Sequence, residues 1–238
     1  MDNVDQKFER QSTVDESNLN LFLSKIYAYM ALAVFVSAAT AYLMMTTFAS
    51  VMTSFIFDHH WGIWVIILLP LILPLIITFK SARNPVASFV LLMITAVVNG
   101  ITFSFVVGAY SGQNIASAFV AAVAVFGTMA IIGTITKKRL SRIGVYASAA
   151  LIGLLVALVV NLFLENPVID YVFSFIGVII FTILTAWDAQ VMRKIYLQYG
   201  TKSSTNGLAV VGALQLYLDF VNLFLQFMGL FGLGHSKV

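Results

Sequence analysis

Two acids lie where acids are expensive. Asp219 sits in the middle of a long apolar run, residues 207–231, and Asp188 near the end of another, residues 168–191. A bare carboxylate at mid-bilayer costs roughly 2.5–3.5 kcal/mol on insertion scales. A chain carries such a group only where it faces protein or water and finds a partner. Two carboxyls in contact cannot both ionise freely, so the pair holds one proton between them and titrates as a unit. Such a pair couples protonation to whatever opposes its negative charge. One opponent is a basic side chain, Arg83 or Lys80, at the inner end of the second apolar run. The other is a cation: Ca²⁺ takes six to eight oxygens, which the two carboxylates, Gln215, Asn222, backbone carbonyls and water can supply. When the pair loses its proton, it either recruits the base and shuts or recruits the cation and conducts. The competing reading is a neutral hydrogen-bonding clip between helices.

The elements that must position these acids are helices. Gly212, Gln215, Asp219, Asn222 and Gln226 recur at steps of three and four, which stack on one helix face. The remaining faces are apolar, so this helix turns its polar edge inward against a bundle. Asp188 lies five residues before Arg193, about 7.5 Å along a helix. If the last two helices are neighbours, the carboxyls meet in the basic half of the bundle.

Composition agrees. The 238 residues are 61% hydrophobic and 10% charged, too few charges to cover a water-facing surface. We expect an all-α integral membrane protein whose direct surroundings are the lipid bilayer. Seven stretches have the roughly 20 apolar residues that a span requires: about 26–48, 61–79, 86–108, 114–135, 143–164, 168–191 and 207–231. The expected organisation is a polar tail over 1–24, a membrane domain over 25–232 and a short tail over 233–238. Twelve of the thirteen Lys and Arg fall on one side of this arrangement, Lys237 being the exception. That bias puts the N-terminus in the cytoplasm and, with seven spans, the C-terminus outside; should the last helix dip rather than cross, the C-terminus stays inside. Gly100, Gly127, Gly133, Gly153 and Gly177 are expected to allow close helix approach.

Much chemistry is excluded. The chain has no cysteine, hence no disulfide, thiolate site or cysteine nucleophile. No phosphate-cradling glycine loop, Ser–His–Asp set or paired-histidine protease helix occurs. The flanks of Asp188 and Asp219 do not fit aspartyl intramembrane proteases. No enzymatic activity, cofactor or nucleic-acid partner is expected.

The sequence resembles the Bax inhibitor-1 family, also called the transmembrane Bax inhibitor motif family. The likeness is carried by residues 176–196 and 213–232, with LYLDFVNLF at 216–224 the most specific block, and by residues 25–43, 99–106 and 126–138. The resemblance implies a seven-transmembrane-helix bundle with the seventh helix at its centre. It implies that Asp188 and Asp219 match a di-aspartyl pH sensor linked to a calcium leak. It also implies an arginine latch in the second helix; that position falls at Ala82, with Arg83 beside it and Lys80 two before. A bacterial plasma (inner) membrane is the expected location. The function expected first is a pH-sensitive cation leak, and the alternative is a non-conducting modulator of a membrane-bound protease or stress-response partner.

Overall fold

The computed structural model describes residues 2–51, 54, 72–74, 76–77, 84–108, 110–164, 166–199 and 205–233, with side chains from Glu16 onward, Leu162 and Leu233 excepted. Six long helices make up this part of the molecule: α1 (Asp2–Thr46), α2 (Pro85–Val107), α3 (Gly112–Ile135), α4 (Ser141–Leu164), α5 (Pro167–Tyr199) and α6 (Thr205–Leu233). Each contains a stretch long and apolar enough to cross a membrane, and no strand occurs among the described residues. The protein is therefore an all-helical, multi-pass membrane protein. Most of the span expected at 61–79 lies outside the described residues; of its inner half, Leu73 and Ile77 are helical and buried.

Local chemistry sets the helix starts. Asn84 caps α2 by accepting from the Ala87 amide at 3.1 Å, with Pro85 next in line, where a missing N–H costs nothing. Ser111 Oγ accepts from the Asn114 amide at the head of α3. Asn166 Oδ1 accepts from the Val168 amide at the head of α5. Hydroxyls inside the helices are satisfied by their own backbone: Thr40, Thr95, Thr128, Thr134 and Thr185 each donate to the carbonyl four residues back. In a medium without water, that local bond is what makes a buried threonine tolerable.

The helices wrap around α6, which packs against α5, α1, α3 and α2. Its apolar window is 61% buried, against 17% for α4, which leans on α5 from outside. At 29 residues α6 is long enough, by length alone, to cross a hydrocarbon core of about 30 Å.

Two expectations change. The polar tail over 1–24 is helical from Asp2, continuous with the first span, and Leu19, Phe22 and Leu23 are already in the core. The helical repeat that buries Ile26 and Met30 starts two turns earlier than the polar composition suggests. Of the five glycines expected at helix contacts, Gly127 and Gly153 face open space. Gly100, Gly133 and Gly177 do sit against neighbouring helices.

Candidate functional site

Asp188 on α5 and Asp219 on α6 face each other within hydrogen-bonding reach. They are 4% and 6% exposed, so both carboxyls are out of solvent. Gln215, one turn before Asp219, also reaches the Asp188 carboxyl. Asp188 Oδ1 and Asp219 Oδ2 have no hydrogen-bond partner among the described residues. Ionised carboxylates only accept, and an unpaired acceptor away from water carries its full desolvation penalty. A single proton placed between the two groups turns one into a donor and answers the other.

The polar edge of α6 meets α5, as its spacing predicts. Gly212 lies against Met192 of α5, and also against Ile26 of α1. Gln226 lies over Gly177 of α5. Asn222 is turned to its own helix, donating through Nδ2 to the Leu218 carbonyl at 2.8 Å, so its Oδ1 is the atom left to line the site. Among the described residues no group of three or more His, Cys, Asp or Glu side chains forms a metal-ligand cluster. Arg83 and Lys80, the expected counter-charges, lie outside the described residues.

Consecutive residues of α5 fix Asp188 from several sides. Ala186 presents its backbone to Gly133 of α3 so closely that any Cβ at 133 would collide with it. The Trp187 ring covers Gly144 of α4 in the same way. Gln190 is 4% exposed, and its amide grips the α3–α4 connection. Its Oε1 accepts from the Leu140 amide at 3.0 Å and from Lys194 Nζ at 2.6 Å, while its Nε2 donates to the Lys138 carbonyl at 2.8 Å. Asp188 thus lies within one turn of the basic connection.

A second polar group occupies another face of α6. Tyr217, fully buried, shares a 2.7 Å bond with Ser37 Oγ of α1. Ser37 Oγ also lies 2.9 Å from the Ala96 carbonyl of α2. The amide of Asn99, whose Nδ2 has no hydrogen-bond partner among the described residues, lies beside the Tyr217 hydroxyl. Neither Gln190 nor this group was among the residues singled out from sequence. For Gln190 the available signal was a polar side chain two positions after an intramembrane acid.

Comparison with known proteins agrees with this architecture. Residues 19–236 match the family described as inhibitor of apoptosis-promoting Bax1. An uncharacterized membrane protein of Streptococcus pyogenes serotype M3 is 36% identical over 220 residues, covering 92% of this chain and 96% of its own length. An uncharacterized protein of Rickettsia prowazekii is 32% identical, covering 94% and 93%. Inner membrane protein YbhL of Escherichia coli is 38% identical over 144 residues, 60% of this chain and 62% of its own. The matched residues take in part or all of each helix described above, Asp188 and Asp219 lying within them, and the chain therefore belongs to the Bax inhibitor-1 family.

Proposed function

We propose that this protein is a pH-sensitive cation leak, with Ca²⁺ as the transported ion, gated by the proton that Asp188 and Asp219 share. The observation that carries this reading is the contact of two buried carboxyls, each with an oxygen that lacks a partner among the described residues. An arrangement built only for stability has little use for two acceptors aimed at one another. Protonated once, the pair is a closed hydrogen bond and joins α5 to α6. Deprotonated, it carries two negative charges in a low-dielectric bundle, and a divalent cation or a basic side chain must answer them. Asp188, Asp219, Gln215 and Asn222 are the side-chain oxygens available to the ion; Arg83 or Lys80 is the proposed counter-charge. The role is transport rather than catalysis. We place the protein in a bacterial inner membrane with seven spans, the last central, the N-terminus cytoplasmic and the C-terminus extracytoplasmic, in keeping with the lysine and arginine bias.

The test is calcium flux into dye-loaded liposomes across a pH series, comparing the native chain with Asp188→Asn and Asp219→Asn. Native flux is expected to change with pH and both variants to lose that change. Equal fluxes and equal pH profiles in all three proteins would overturn the sensor role.

The second reading, a non-conducting modulator of a membrane-bound protease or stress-response partner, is favoured by one observation. The polar first turns of α1, Asp2 to Ser17, continue the span as helix ahead of the first core residue, Leu19, roughly 25 Å of helix at 1.5 Å per residue. A pull-down with and without residues 2–17 separates the two. Loss of a partner on truncation, with no flux in liposomes, would favour the second.

A further inference from the structure

α2 and α3 are consecutive, yet below their short connection they do not pack on one another. Between them, with α1 on one side and α6 as floor, lies a cleft of about 440 Å³. Its wall includes Val34, Phe103, Ala116, Phe119, Phe220 and Phe224. At its deep end Ser37 already has its hydroxyl engaged with Tyr217 and the Ala96 carbonyl. At the other end the cleft reaches Met45 and Gly112, the last turn of α1 and the first of α3. It therefore runs from the membrane face opposite the Lys137–Arg142 connection to the middle of the spans. Its rim continues into apolar surface: Phe119 is 42% exposed and Val120 66%.

Water does not suit this space, because a water needs two to four polar partners. Apolar cavities of this kind stay dry, and one of only ~150 Å³ takes up benzene. The surrounding medium at this depth is hydrocarbon, and the cleft is continuous with the face the protein turns to it. We propose that the cleft is a binding site for one acyl chain of a bilayer lipid, entering from the leaflet opposite the basic connection and lying along Phe220 and Phe224 of α6. The floor is built for such a guest. Phe220 is held edge-on by Phe119 and Phe126, at 5.8 and 5.6 Å between ring centroids, which fixes the floor of the cleft.

The absence of native cysteine makes a direct test available. A single cysteine at Ala116, labelled with a small fluorophore, is reconstituted into vesicles whose phospholipids carry bromine midway along the tails. A cysteine at Val120 reports bulk lipid, and one at fully buried Ala209 reports none. Separately, native mass spectrometry of the protein in mild detergent counts retained phospholipid for the native chain, Ala38→Phe and Ala116→Phe in the cleft, and Val120→Phe outside it. Quenching at 116 that survives dilution with unbrominated lipid longer than at 120 is expected. One retained lipid is expected on the native chain and on Val120→Phe, falling at least fivefold in the cleft variants while all remain monodisperse. Several outcomes overturn the proposal. They are quenching at 116 no stronger than at 209, equal lipid retention in cleft and control variants, or crosslinks from position 116 to a second copy or to residues 52–83 of the same chain. If the cleft variants fail to fold, the quenching at 116 in the otherwise native chain decides alone.

Discussion

Two buried polar groups hang on α6, and they are built differently. Toward α1 and α2, Tyr217 meets Ser37, whose hydroxyl also reaches the Ala96 carbonyl. Toward α5, Asp219 meets Asp188, and each carboxyl keeps an oxygen without a partner among the described residues. Hydroxyls both donate and accept, so the chain of them closes on a backbone carbonyl, and the atom left over beside it, Asn99 Nδ2, is a neutral donor. Carboxylates only accept, so their pair is complete only with a proton or a cation. The first group is a fastening. The second depends on what the surroundings supply, and that dependence is what a sensor needs.

The comparison breaks if the two groups respond alike. Asp219→Asn is expected to remove the pH response of calcium flux, roughly a tenfold loss of contrast, since one shared proton shifts its equilibrium tenfold per pH unit. Tyr217→Phe is expected to leave the pH profile in place, although it lies two residues away; a flattened profile there would merge the two groups into one. What Tyr217→Phe should change is stability. Losing the hydroxyl leaves Ser37 and Asn99 without it and costs about 1–3 kcal/mol, read as a lower midpoint of unfolding in detergent. Ser37→Ala added to it should cost less than the sum, because both remove one bond. Gln190→Ala should cost about 1–2 kcal/mol by stranding the Leu140 amide and the Lys138 carbonyl. Faster amide exchange confined to residues 137–140 is its distinguishing mark, and unchanged exchange there would show that the grip is not needed.

The smallest effect concerns the opposite end of the bundle. Asp170 there accepts from Asn161 Nδ2 at 2.5 Å. Beside it, Tyr110 lies in the connection after α2, and burial, helped by the Asp170 charge, raises its phenol above the ordinary 10.0. The folded state thus favours the neutral phenol. That contribution is whole below pH 10 and is lost as pH rises through the raised value. Absorbance titration of the native chain against Tyr110→Phe should show one phenol ionising late. Ionisation at the ordinary value would detach Tyr110 from Asp170.

Much of this was legible in the residues. Continuous apolar runs announce the spans, and steps of three and four from Gly212 to Gln226 announce which face of α6 meets α5. An acid in each of the last two runs points to their meeting. Other features have no one-dimensional signature. Gln190 holds a connection some fifty residues earlier in the chain, and nothing local says which backbone an amide will grip. Ser37 reads as one more small residue until α6 brings Tyr217 to it. Leu19, Phe22 and Leu23 are masked by the charges before them, because composition averages over a boundary that burial draws sharply. Gly127 and Gly153 look like Gly133 in sequence, and only the neighbour across the gap separates them.

The fit of Ala186 to Gly133 and of Trp187 to Gly144 reaches beyond packing density. These contacts press backbone or a broad ring into α3 and α4, which leaves no slack one residue before Asp188. The contacts between α5 and α6 are softer: the thioether of Met192 on α5 at Gly212, the Gln226 side chain of α6 at Gly177 and the Ser174 hydroxyl of α5 at Gly229. One carboxyl therefore sits beside a backbone-tight fit, and the other on a helix seated against α5 through side chains. Side chains can change rotamer where backbone cannot, so the seam between α5 and α6 is the more yielding of the faces around Asp188.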